Sequence, residues 1–274
     1  MNILYCGDQK IRDGLITSIL SLLKYNPEAL NIFVLTAQIH QRKKVYHPID
    51  DATIILLDQV VKKRNPESSV TKIDITYLFN QEKPVMNMNT FFTPNCMLRL
   101  YADELPEIPS KILYLDTDVL CHRNFEDYYY QDLHHHEIVG TLDQYGKWWF
   151  HHEARPFDYL NSGVLLLNMD LIRKNGLFAK CRRVCRTRWM LMPDQSAINR
   201  LCHTKRIVGD EYNEQHELHY DTVFRHFSNT FHFRPFRVQK VKPWQIERMH
   251  DVLHEHAFDD VLEEYLKLKE KIDD

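Results

Sequence analysis

Residues 111–120 read KILYLDTDVL, and the reading of this stretch decides the fold. Residues 112–115 form a short unbroken apolar run, the pattern of a strand covered on both faces. The run ends in two carboxylates, Asp116 and Asp118, with Thr117 between them. In an open α/β sheet the C-terminal ends of the strands border the crevice where ligands bind. Two carboxylates at that edge make an oxygen-rich site for a divalent cation carrying a phosphorylated ligand. Taken alone, the same letters also suit a turn, because Asp favours turns. One Asp-x-Asp is expected about once by chance in such a chain.

Working outward, apolar segments at 3–6, 32–36 and 70–75 alternate with helical patterns at 11–24 and 51–61, and a further helix is expected over 94–102. Ile16, Ile19, Leu20 and Leu23 share one face of the first helix. This βαβαβ order predicts an α/β fold, a largely parallel sheet with helices on both faces. Beyond the acidic pair, strands are expected at 137–142 and 163–168. An aromatic loop containing Trp148, Trp149, Phe150, Phe157 and Tyr159 separates them. Residues 171–202 read as helical with a break at Pro193, residues 223–227 as a strand, and residues 258–271 as an amphipathic helix rich in Glu and Lys. No internal repeat or low-complexity tract interrupts the pattern.

Composition narrows the function classes. A chain of 274 residues, 44% hydrophobic and 27% charged, is long enough to bury one sizeable core. Its net charge of -3 argues against a general nucleic-acid binder. With only 7 glycines it has neither a G-x-G-x-x-G nor a G-x-x-x-x-G-K-[ST] motif, which counts against dinucleotide and P-loop enzymes. The six cysteines form no C-x-x-C pair, so a zinc ribbon or thioredoxin-type site is not indicated. The opening MNILYCGD lacks the basic and long apolar regions of a secretion signal, and no apolar window reaches transmembrane length. A reducing, cytoplasmic setting is the expectation.

Four further segments join the acidic pair. The first strand ends at Gly7-Asp8. MLRLYADELP (97–106) carries Arg99, a guanidinium suited to a phosphate or an acidic partner. NSGVLLLN (161–168) and PDQSAIN (193–199) follow, and then VFRHFS (223–228) with KPW (242–244) downstream. In this order the segments resemble the family-8 glycosyltransferases, over residues 1 to about 245.

The resemblance implies a single-domain GT-A fold, with a mixed, mostly parallel Rossmann-like sheet, over residues 1–245. Residues 246–274 would then be a helical extension packed on the same domain. It implies a retaining transferase that moves a hexose, glucose or galactose, from a UDP-sugar to a saccharide acceptor, using Mn²⁺ or, as the alternative, Mg²⁺. By the same resemblance Asp116, Asp118 and His226 hold the metal. Tyr5, Cys6, Asp8, Arg99, Thr117 and Lys242 surround the donor nucleotide, and Asp143, Asn161, Asp194 and Gln195 surround the transferred sugar. Two carboxylates and an imidazole with diphosphate oxygens form a mixed O/N shell that suits Mn²⁺.

The segment between His226 and Lys242, FSNTFHFRPFRVQKV, is longer than in close relatives and glycine-free, so His232 is a rival ligand. Ser196 stands where relatives often carry another acid. Other roles remain open for single residues: Asp8 suits a helix cap, Arg99 an ion pair, Asn161 a turn and Asp194 a helix start. The run His134-His135-His136 reads as solvated, as does the basic run Lys180, Arg182, Arg183, Arg186 and Arg188. Weak peripheral contact of that basic run with the inner face of a membrane is the alternative for it. Two rival functions are a non-catalytic nucleotide-sugar-binding protein of the same fold and, more remotely, a haloacid-dehalogenase-type phosphatase.

Overall fold

A computed structural model describes residues 1–42, 44–143, 158–233 and 236–273. Among the described residues thirteen strands run in chain order: β1 (Asn2–Cys6), β2 (Asn31–Thr36), β3 (Ile39–Gln41), β4 (Lys44–Tyr46), β5 (Ser69–Asp74), β6 (Lys111–Leu115), β7 (Val119–Cys121), β8 (Ile138–Leu142), β9 (Leu160–Asn168), β10 (Lys205–Ile207), β11 (Phe224–His226), β12 (Thr230–Phe233) and β13 (Phe236–Gln239). Seven of them form the central sheet, in the order β10-β8-β9-β6-β1-β2-β5. All neighbours pair in parallel except β9, which runs antiparallel to both β6 and β8. The sheet is therefore mixed and mostly parallel, with one reversed strand, β9, third from the β10 edge.

Both faces are covered, as the apolar run 112–115 requires. On β6, Leu113 and Leu115 point into one core with Ile3 and Tyr5 of β1. Ile112 and Tyr114 point into the other, with Leu4 and Cys6. Helices Arg12–Tyr25, Asp51–Arg64 and Asp259–Asp273 cover the first face. The Pro94–Glu104 segment and helices Met169–Asn175, Leu177–Thr187 and Pro193–Leu201 cover the second. Burying each such large apolar side chain stabilises the fold by about 1.5–3 kcal/mol.

Several details differ from the sequence reading. Residues 94–104 wind as a 3-10 helix rather than an α-helix; Cys96 O accepts from Arg99 Nε at 3.0 Å within it, part of what holds that guanidinium in place. The helical stretch after β9 breaks at Gly176 and again over 188–192, and Pro193 opens the last helix instead of interrupting one. Proline suits that first turn because its missing N–H would be unpaired there anyway. Arg182 is not on a solvated face: it is buried and ion-paired with Glu82, Asp103 and Glu104. The other members of the basic run, Lys180, Arg183, Arg186 and Arg188, are exposed.

β7 was not expected as a strand of its own. The chain turns at Asp116, where Val119 N donates to Asp116 O at 3.1 Å, and then resumes as β7 in pairing with β11. At the far side of the sheet, Asp143 N donates to Tyr159 O at 2.7 Å just outside the ends of β8 and β9. Trp148, Trp149, Phe150 and Phe157 lie outside the described residues. The last helix packs along helix Arg12–Tyr25, with Phe258, Val261, Leu262 and Tyr265 buried in the first core.

Candidate active site

The reversed direction of β9 assembles the site. Its first residues, Asn161 to Gly163, lie beside the C-terminal end of β6, where Asp116 N donates to Gly163 O at 2.8 Å. Across from them, β7 and β11 pair with Val119 opposite His226, and Phe227 N donates to Asp118 O at 2.9 Å. That register sets the His226 ring over the acidic pair. Its Nε2 lies 3.4 Å from Asp118 Oδ1 and 4.0 Å from Asp116 Oδ2. The three potential ligand atoms lie within 4.8 Å of one another.

Two glycines make this approach feasible. A Cβ on residue 163 would sit 2.3 Å from His226 Cε1, and one on residue 14 would sit 2.7 Å from Thr117 O and from the Trp244 ring. The first lets β9 pass under the imidazole, and the second lets helix Arg12–Tyr25 abut the Asp-Thr-Asp turn.

Each carboxylate is held by one cation. Asp116 Oδ1 accepts from Arg99 at 2.9 Å and from the Tyr114 hydroxyl at 2.5 Å, leaving Oδ2 turned towards His226. Asp118 Oδ2 accepts from Lys242 Nζ, which also donates to Phe227 O at 2.7 Å. Burial alone would raise the Asp118 carboxyl; the Lys242 ammonium and His226 outweigh it and hold the group far below the usual carboxylate range.

The imidazole is oriented from behind. Nδ1 of His226 faces Asn213 Oδ1 at 3.0 Å, and Asn213 Nδ2 donates to Asn161 Oδ1 at 2.9 Å, so the amide direction is set. Nδ1 therefore carries a proton, and Nε2 is the ring atom aimed at the two carboxylates. The donor set of two oxygens and one nitrogen fits an octahedral dication whose other positions are oxygen.

The rest of the predicted set falls into two groups. Asp143, Asn161, Asp194 and Gln195 are all buried and line one cleft of about 530 Å³ together with the metal-type cluster. Asn161 Nδ2 donates to Asp143 Oδ2 at 2.8 Å, Gln195 Nε2 reaches the same oxygen at 3.1 Å, and Gln195 Oε1 accepts from Ser162 N at 3.0 Å. Asp194 lies in the first turn of its helix, 3.3 Å from Arg99 Nε. Burial pushes its carboxyl up, against the pull of Arg99. Arg99 thus ties the acidic pair to Asp194 and is enclosed by carboxylates and carbonyls. Ser196 Oγ bonds the Tyr159 hydroxyl at 3.0 Å.

Tyr5, Cys6, Asp8 and Thr117 are not among the residues that line that cleft. The Tyr5 hydroxyl meets Ser18 Oγ at 2.7 Å inside the first core, and Cys6 is buried in the second. Asp8 caps the short turn Gln9–Ile11, accepting from Lys10 N at 3.2 Å. His232 lies on β12, and its side chain lies outside the described set. Sequence reasoning missed Asn213 and Gln215. Gln215 lines the cleft and accepts from Asn161 at 3.2 Å. Among the described residues no helix is long and apolar enough to cross a membrane.

The comparisons with known proteins agree with one another. The chain is similar to the solved galactosyltransferase LgtC in complex with donor and acceptor sugar analogues, at a TM-score of 0.69 and 18% identity over 96% of each chain. The glycosyltransferase GlyE of Streptococcus pneumoniae matches at a TM-score of 0.61 and 16% identity, over 98% of this chain and 64% of that one. These likenesses fix the fold as GT-A. A Haemophilus influenzae protein with a provisional glycosyltransferase name is 22% identical over 231 residues, 78% of this chain. The chain spans 63% of that relative's length, so it matches less than two thirds of it. The model of glycosyl transferase family 8 matches residues 2–247, nearly the whole chain, and on that match the chain belongs to glycosyl transferase family 8.

Proposed function

We propose that this protein is a metal-dependent, retaining hexosyltransferase that uses a UDP-sugar, UDP-glucose or UDP-galactose, as donor and a saccharide as acceptor. The observation that carries this reading is the approach of Asp116, Asp118 and Nε2 of His226 to within 4.8 Å of one another in the cleft. Mn²⁺ fits that donor set, with Mg²⁺ as the alternative. A dication held there supplies Lewis-acid stabilisation of the departing diphosphate.

The chain's own residues do the rest. Lys242, paired with Asp118, lines the same cleft and would face a diphosphate bound there. There it opposes the negative charge that grows on the leaving group. Asp143, Asn161 and Gln195, locked to one another, offer a rigid hydrogen-bonding wall to the sugar hydroxyls. Arg99 acts through Asp116 and Asp194, fixing both carboxylates. Tyr5, Cys6, Asp8 and Thr117 would serve the nucleotide end through the backbone at the close of β1 and in the acidic turn, since their side chains do not line the cleft. Residues 1–245 form the transfer domain and residues 246–274 a packed extension of it. Six free thiols suit a cytoplasmic setting.

The test is release of free UDP from a panel of UDP-sugars, with and without Mn²⁺. Hydrolysis of one UDP-hexose only when Mn²⁺ is present is the expected outcome. Silence with every donor, together with no thermal stabilisation by UDP and Mn²⁺, would overturn the assignment. Asp118→Asn is expected to lower Mn²⁺-dependent turnover by about 10²–10³-fold, the usual loss when one transition-state charge partner is removed.

A further inference from the structure

A second cluster of ligand-type side chains lies away from the cleft, in the chain that leads into the last helix. His250, in the π-helical turn Met249–Leu253, places Nε2 at 2.6 Å from Asp259 Oδ1. His256 places Nδ1 at 3.2 Å from the other oxygen, Asp259 Oδ2. The two imidazole rings stack with centroids 4.1 Å apart and planes 28° apart. Two ring nitrogens thus converge on the two oxygens of one carboxylate, and all three ligand atoms lie within 4.8 Å of one another.

The geometry of this arrangement suits a cation, because each of the three residues turns a ligand-type atom towards the other two. Bonds of about 2.0–2.1 Å in a tetrahedral shell put ligand atoms roughly 3.3 Å apart. The present spacings of 2.6 and 3.2 Å would have to open towards that value, and His256, whose side chain is 62% exposed, has solvent on one side into which to move.

We propose that His250, His256 and Asp259 form a second metal site, independent of the donor site, for a borderline dication such as Zn²⁺. Two imidazoles and one carboxylate select Zn²⁺ or Co²⁺ over Mg²⁺ and Ca²⁺, which take oxygen shells. The site lies open on one side, so the remaining position is filled by water. Bound metal would pin the π-helical turn to the first residue of helix Asp259–Asp273 and so fasten the C-terminal segment. Glu255, between the two histidines, lies 3.7 Å from Arg225, the neighbour of His226 on β11. Fastening this segment also braces the strand that carries the donor-site histidine.

The experiment uses untagged full-length protein and Co²⁺ as a visible-absorbing probe, with Zn²⁺ as competitor. In a His226→Ala background, one Co²⁺ per chain is expected, displaced by Zn²⁺, with affinity falling at least about tenfold when His256→Ala is added. Co²⁺ binding that is unchanged by His256→Ala, or no binding in that background, overturns the proposal. Should His226→Ala fail to fold, His256→Ala is compared with wild type in the otherwise intact chain. Its Zn²⁺-induced rise in melting temperature is expected to be smaller than that of wild type, and a rise equal to wild type overturns the site. The donor-site reading stands or falls separately, on UDP release.

Discussion

A methyl group on residue 163 would press into the His226 ring, so Gly163→Ala is expected to cost about 1–3 kcal/mol, the usual range for overpacking. It should weaken Mn²⁺ binding at the same time, because the ring it displaces is the one aimed at the acidic pair. Urea denaturation and Mn²⁺ titration check both halves. Asn213→Ala acts differently. It removes the group that holds the His226 tautomer without touching the carboxylates. A drop in Mn²⁺ affinity of about 10–100-fold is expected, the range for lost second-layer partners of a metal ligand. Calorimetric titration at fixed pH reads it, and an unchanged affinity would mean that Asn213 does not orient the ring. At this scale the acidic pair and His226 were legible because each lies at a strand end. The bond from Tyr114 to Asp116 was also legible in principle, since residues two apart on a strand share a face. Asn213 and Gln215 were not: they sit in an irregular stretch whose polar letters carry no period, and only the bridge from Glu214 to Arg225 on β11 sets Gln215 at the cleft and Asn213 behind His226.

The helix Asp51–Arg64 begins on a cap that can be tested alone. Asp50 accepts from Thr53 N at 2.6 Å and from Thr53 Oγ1 at 2.9 Å, and Gln9 donates to it as well. Partial burial pulls its carboxyl up, but these hydrogen bonds win and hold it below the ordinary value. Asp50→Ala should cost about 0.5–2 kcal/mol at neutral pH. A depressed carboxyl contributes fully above the unfolded-chain value of about 3.9 and loses its contribution as pH falls through the folded value. The gap between wild type and Asp50→Ala should therefore narrow below about pH 4 in urea melts; a gap that widens would contradict the cap. Elements of this length were readable from period and capping letters, and the parallel half of the sheet followed from their order. The three-residue strands β7 and β10 and the hairpin of β3 and β4 were not, because so few residues establish no period. The long 3-10 stretch was equally hidden, since its letters fit an α-helix and tertiary contacts decide the winding.

The molecule as a whole is held by one sheet and two cores, and its C-terminal helix is part of the first core, although the family match stops at residue 247. Phe258 is fully buried, edge-on to His122 and Phe227 at 5.6 and 6.0 Å. Phe258→Ala is expected to lower stability by about 3–5 kcal/mol, measured by denaturant unfolding. A change within experimental error would show that residues beyond 245 are a dispensable tail. Asp143 and Tyr159 are joined backbone to backbone where β8 ends and β9 begins. That clasp ties the strand end that delivers Asp143 to the strand start that delivers Asn161, so the two hydrogen-bonded side chains are carried as one rigid unit.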